Sequence, residues 1–194
     1  QMVLQEQADI ALATESLSEV TGLATLPCYC WEHTLVVKPD HPLTELTSSQ
    51  ARNLSLEQIA EFPIITYDRA FSGRTSIDKA FAEKGIKPDI VLEAIDADVI
   101  KTYVDVEMGI GIIAGVAFDP RRDGGFVGIP VGHLFGKHTT RIGLKSGVFL
   151  RDYVYDFLSM LTPELSRDAI EAALNSNGTG DAEVDYAPPL RRVS

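Results

Sequence analysis

The sequence predicts an α/β fold in which strands and helices alternate and the strands form parallel sheets. Three observations carry that prediction. Compact apolar runs of strand length recur along the chain, among them 8–14, 63–67, 89–94 and 109–114. Segments with helical spacing lie between several of them, each with its own start or stop residues. The chain has 194 residues, 45% hydrophobic and 23% charged, the balance of a folded globular protein with room for one sizeable domain or two small lobes.

The opening stretch, 1–7, reads as the tail of a helix running into a strand. Ala8 to Thr14 is a compact apolar run ending on a hydroxyl residue and fits a buried parallel strand. Leu23 to Cys30 reads as a second strand. Thr34 to Val37 reads as a third, closed by the Pro39-Asp40-His41-Pro42 turn. Thr44 to Asn53 is polar and reads as a loop. A short helix follows over 54–61, with Ser55 as its N-cap. Pro63 to Tyr67 is a strand. Thr75 to Lys84 is a helix with Ile77, Ala80 and Phe81 on one face and Gly85 as its stop. Asp89 to Ala94 is a strand, and a helix capped by Asp96 or Asp98 runs through Glu107 to Gly109. Strands are expected at 109–114, 126–131 and 141–144. Leu150 to Leu161 is strongly amphipathic, and Pro163 opens a last helix to about Leu174. The alternation argues for right-handed crossovers. Residues 175–194 carry Gly178, Gly180, Pro188 and Pro189 with little apolar periodicity, and a disordered tail is expected there.

The formal net charge is −11, a poor match to a nucleic-acid backbone. Direct nucleic-acid binding by this chain is therefore not expected, although local donors can still build a small-anion site on an acidic protein. Cys28 and Cys30 are too few for a disulfide framework and lack zinc-site spacing, so buried thiols in a reducing cytoplasm are expected. No apolar run has the length of a membrane span and no signal peptide opens the chain.

The most informative local segment is Tyr67-Asp68-Arg69-Ala70-Phe71-Ser72-Gly73-Arg74-Thr75. A strand ends, a short loop follows and a helix begins near Gly73. The first amides of a helix have no intrahelical partners, so with the Ser72 hydroxyl they form a pocket for an anion. Gly73 would let a ligand approach the backbone closely. The alternative is that Ser72 only caps the helix. Thr14, at the carboxyl end of the first strand, is either a second hydroxyl donor or an ordinary turn residue. Trp31 is either a pocket wall or a core residue. Asp96 and Asp98 could be an acid/base pair or a magnesium site, but at a helix start carboxylates serve as caps. Gly109-Ile110-Gly111 follows a helix rather than opening one, so it is not a dinucleotide fingerprint. No nucleophile elbow and no Walker loop are present, and His33, His41, His133 and His138 are scattered. No metal, no cofactor and no enzymatic activity are expected.

Several strings together resemble one family closely. They are Ala-Asp-Ile-Ala-Leu-Ala-Thr-Glu at 8–15, Leu-Pro-Cys-Tyr-Cys-Trp at 26–31, Pro-Asp-His-Pro-Leu at 39–43, Phe-Ser-Gly-Arg at 71–74, Asp-Ala-Asp-Val-Ile-Lys-Thr-Tyr-Val at 96–104 and Tyr-Val-Tyr-Asp-Phe at 153–157. The chain is similar, from Gln1 to about Leu174, to the effector-binding domain of LysR-type transcriptional regulators, and more narrowly to their CysB and Cbl group. That resemblance implies two Rossmann-like lobes joined by two crossing strands, as in type 2 periplasmic binding proteins. Lobe I would comprise 1–32 and 139–174 and lobe II 33–138, with crossings near 31–34 and 138–143. It also implies a cytoplasmic regulator of sulfur assimilation, for cysteine biosynthesis or sulfonate utilisation, acting as a homodimer or homotetramer. A small anionic effector, such as sulfate, acetylserine or adenosine phosphosulfate, would sit between the lobes. The implied ligand-binding residues are Thr14, Trp31, Ser72, Gly73 and Arg74, and CysB-like members commonly carry threonine at the Ser72 position. DNA would be read only through an N-terminal winged helix-turn-helix outside this sequence. The first part of lobe I, with its Thr-x-Thr-Gln anion donors, is also outside it, so an incomplete sheet and an incomplete site are expected. The alternative is a solute-binding protein for sulfate or a similar small anion.

Overall fold

The computed structural model describes residues 1–14, 17, 20–46 and 48–175. The expected tail over 175–194 lies, apart from Asn175, outside the described residues. Its elements in chain order are β1 (Ala11–Ala13), β2 (Leu23–Val37), α1 (Ser48–Arg52), α2 (Leu56–Ile59), β3 (Ile64–Tyr67), α3 (Ser72–Glu83), β4 (Ile90–Ala94), α4 (Ala97–Asp105), β5 (Ile110–Ala114), β6 (Val127–Pro130), α5 (Gly132–Phe135), β7 (Lys137–Lys145), α6 (Asp152–Leu161) and α7 (Arg167–Asn175). The described residues form two compact units, one drawn from 1–30 and 138–175 and one of 31–137. It passes from the first to the second inside β2 and returns at the start of β7.

The second unit is built on a five-stranded sheet in the order β6-β2-β5-β3-β4. Strands β3, β4 and β5 are parallel, and β2 runs antiparallel to both β5 and β6. Period-2 alternation sorts its apolar residues onto two faces. Leu35, Val37, Ile64, Ile110 and Ile112 pack with Ile77 and Phe81 of α3. Val36, Ile65 and Ile113 pack with Ile100 and Val104 of α4 on the other. Central strands covered on both faces read as unbroken apolar runs, which is why β3 and β5 were legible as strands.

Two glycines set how closely these layers approach. A Cβ at Gly111 would lie 2.9 Å from Ile100 and 3.0 Å from Val104, so α4 packs directly on the β5 backbone. A Cβ at Gly109 would lie 2.4 Å from the Pro63 carbonyl, to which the Ile110 amide donates at 2.9 Å. The Gly-x-Gly pair therefore serves packing between β5, β3 and α4.

The first unit carries strands in the order β1-β7-β2. Ala24, Leu26 and Cys28 of β2 and Ile142 and Leu144 of β7 pack with Val154, Tyr155 and Leu158 of α6 and Ile170 and Leu174 of α7. The Cys28 thiol lies 3.3 Å from the Thr162 hydroxyl, and burial pushes its pKa up against that contact. This is an inert, packed thiol.

Several elements differ from expectation. The segments 23–30 and 34–37 are one 15-residue strand, because Trp31, Glu32 and His33 contain no breaker. Strand β1 is three residues long, pairs antiparallel with β7 and leaves Leu12 47% exposed, so it is not a buried parallel strand. A short apolar run cannot distinguish a strand covered on one face from one covered on two. The polar stretch 44–53 contains α1 rather than a loop throughout. The last helix starts at Arg167, four residues after Pro163. Helix α3 begins at Ser72 rather than Thr75, which changes the reading of the site.

Candidate functional site

The start of α3 is assembled by a short hydrogen-bonded turn. Strand β3 ends at Tyr67, and the Asp68 amide donates to the Ala94 carbonyl at 2.9 Å. The Asp68 carboxylate accepts from the Ala70 amide at 2.9 Å, and the Phe71 amide donates to the Asp68 carbonyl at 3.1 Å. Phe71 is the N-cap, with extended backbone and no side-chain cap bond. Ser72 is thus the first helical residue and not the cap, which removes the cap-only alternative for its hydroxyl. The Arg74 amide closes the turn onto the Phe71 carbonyl at 3.0 Å.

Beneath this start the packing is tight. A Cβ at Gly73 would lie 3.0 Å from Cη2 of Trp31 and 3.3 Å from Nε2 of His33. Trp31 and His33 meet edge to face with centroids 5.2 Å apart, and His33 meets Phe135 at 5.3 Å. Trp31 is buried under the helix start. The absent Gly73 side chain accommodates this aromatic layer.

Arg74 is also buried, with 1% of its surface exposed. Its Nε donates to Asp78 at 2.7 Å, and its Nη1 donates to the Tyr67 carbonyl at 2.8 Å and lies 2.9 Å from Glu93 of β4. Burial works against its charge, but the bonds to Asp78 and Glu93 outweigh burial and hold its pKa above the ordinary value. One guanidinium therefore ties the first turn of α3 to the ends of β3 and β4. The structure brings Trp31, Ser72, Gly73 and Arg74 together in the second unit. Thr14 directly follows β1 in the first unit, and its neighbours Glu15 and Ser16 lie outside the described residues.

Asp96 is the N-cap of α4, accepting from the Val99 amide at 2.8 Å. Asp98 pairs with Lys101 at 3.0 Å. The two carboxylates are accounted for by helix capping and an ion pair. Among the described residues no group of histidine, cysteine, aspartate and glutamate could hold a metal ion, and no helix is long and apolar enough to cross a membrane.

The LysR substrate-binding domain family matches residues 1–166. The chain belongs to this family. The HTH-type transcriptional regulator CysB of Burkholderia cenocepacia is 52% identical over 94% of this chain and 56% of its own length. The regulator SsuR of the same organism is 50% identical over 90% of this chain and 55% of its length. The chain spans about half the length of these curated relatives. Among solved structures, the cofactor-binding domain of the Cbl transcriptional regulator matches with a TM-score of 0.79 and 40% identity, covering 89% of this chain and 74% of that one. The relatives are named as regulators, not as enzymes. LysR effector-binding domains have the type 2 periplasmic-binding-protein fold, which agrees with the fold class read from the sequence.

Within this LysR-family chain, sequence reasoning missed the support of the loop between β5 and β6. Lys101, on the buried side of α4, donates to the Ala117 carbonyl at 3.1 Å and to Asp123 at 3.0 Å. Asp123 also accepts from the Asp119 amide at 2.9 Å. The only signal was a lysine on the apolar side of an amphipathic helix, and its partner lies 22 residues on. Likewise, the Ala114 amide donates to the Tyr67 hydroxyl at 3.1 Å, a pairing between β5 and the end of β3 that no local pattern encodes.

Proposed function

We propose that this chain is the ligand-sensing part of a LysR-type regulator of sulfur assimilation, and that its effector is a small anion of the sulfate, acetylserine or adenosine phosphosulfate type. The observation that carries the reading is the start of α3. Ser72 sits at the first helical position and leaves capping to Phe71, so its hydroxyl lies at the positive end of α3. A helix N-terminus with a hydroxyl is suited to an anion. Arg74 holds the turn in place through Asp78, Glu93 and the Tyr67 carbonyl. The high identity to CysB and SsuR supports the sulfur-related role.

Binding acts by population shift. The effector favours one conformational state of the full-length protein and so biases how a homodimer or homotetramer presents its DNA-binding domains in the cytoplasm. Calorimetry and thermal shift on the full-length protein with sulfate, thiosulfate, acetylserine and adenosine phosphosulfate test this. Saturable heat with at least one of them is expected. No heat and no thermal shift with any of them sinks the reading.

A further inference from the structure

The second unit holds a cavity of about 320 Å³ at the end of its sheet where β3 and β5 begin. That is the opposite end from the start of α3, and the cavity shares no residue with the anion site. Its volume falls at the low end of small-molecule pockets, which span roughly 300–1,000 Å³.

The lining has two parts. Phe62, Val104 and Met108 are apolar, whereas Lys38, Asp40 and Glu107 carry charge of both signs. His41 lies over Phe62 with ring centroids 4.6 Å apart, and its Nδ1 accepts from the Leu43 amide at 3.2 Å, which places the proton of the neutral ring on Nε2. Lys38 donates to Asp105 at 2.6 Å, and an ammonium has three donors, so this pair uses one.

Glu107 is the unusual residue. It has φ of 60°, the left-handed conformation that favours glycine or asparagine after a helix. It also places a carboxylate at the negative end of α4, where a cation is preferred. A glutamate disfavoured on both counts stands at the mouth of a cavity, facing the same space as Lys38 and Asp40.

We infer that this cavity binds a small zwitterion, an α-amino acid with an uncharged apolar side chain. The side chain lies over Phe62 and Met108, the carboxylate meets Lys38 and the ammonium meets Glu107 and Asp40. A simple anion is disfavoured, because two lining carboxylates, Asp40 and Glu107, stand against the one ammonium of Lys38.

Titration of the full chain with L-methionine, followed by amide NMR, tests the inference. Saturable shifts are expected at Phe62, Val104 and Gly109. N-acetyl-L-methionine lacks the ammonium and L-methioninamide lacks the carboxylate, and each should bind roughly tenfold or more weakly, the scale of one charge-assisted hydrogen bond. Glu107→Gln should weaken L-methionine to a similar degree while leaving the N-acetyl compound unchanged. Lys38→Gln should weaken L-methionine and leave L-methioninamide unchanged. Circular dichroism melts establish that both variants fold. No saturable shift at millimolar L-methionine, shifts centred elsewhere, or wild-type affinity for L-methionine in either variant overturns the inference.

Discussion

Gly73 sits where a methyl group would touch Trp31, and Ser72 beside it heads α3 without capping it. Gly73→Ala should therefore crowd the aromatic layer and cost about 1 kcal/mol or more, the usual scale of overpacking. Urea unfolding measures it, and an unchanged midpoint would show that Trp31 yields freely. Glu107→Gly should act in the opposite direction. It removes a side chain from a left-handed position and should stabilise by about 0.5–1 kcal/mol, read as a higher melting temperature. At this scale the sequence disclosed residue types well and geometry poorly. The Ser-Gly-Arg string marked a helix start near Gly73, and α3 begins one residue earlier, at Ser72. The cap is a phenylalanine with no side-chain bond, which no capping rule anticipates. His33 under Gly73 gave no sign, because its contact depends on α3 folding back over β2.

Among elements, α3 and α4 are each tied to their surroundings by a buried cation, Arg74 and Lys101. Arg74→Ala would leave Asp78 and Glu93 without their shared partner and free the end of β3. Asp78 and Glu93 are 41% and 36% exposed, so solvent takes up their charge, and the lost hydrogen bonds and packing should cost about 1–2 kcal/mol in denaturant unfolding. Lys101 and Asp123 tie α4 to the loop before β6 and give stability a pH dependence. For Asp123, burial works to raise the pKa, but the Asp119 amide and Lys101 overcome it and hold the carboxylate below its ordinary 3.8. Its contribution is thus fully present above about 3.8 and is lost as pH falls through the lower folded value. Asp123→Asn should flatten the acid limb of the stability curve, and an unchanged limb would contradict the assignment. For Lys101, burial is outweighed by its bonds to Asp98 and Asp123, so its contribution holds below 10.5 and is lost at more alkaline pH. Helices α2 and α4 were legible from their caps and α6 from its amphipathic stripe, all of them local signals. The join of two expected strands into β2 was not, since nothing between Cys30 and Thr34 states whether the chain turns or runs on.

For the whole molecule, the α/β class followed from alternation of elements, but strand direction did not. Strands β3, β4 and β5 are parallel as expected, while β2, β6 and β7 take part in antiparallel pairs. Apolar runs look the same in both arrangements when both faces are covered. The two units each close their own core, around α3 and α4 in one and around α6 and α7 in the other. The family resemblance carried what periodicity could not, namely that this architecture belongs to an effector-binding domain. The central claim, that a small sulfur-related anion is held at the head of α3, rests on Ser72. Calorimetric titration of the tightest-binding anion into full-length wild-type protein and Ser72→Ala tests it most directly. The account predicts affinity weaker by about tenfold or more in Ser72→Ala, with Ser72→Thr close to wild type. Equal affinity in wild type and Ser72→Ala would contradict it.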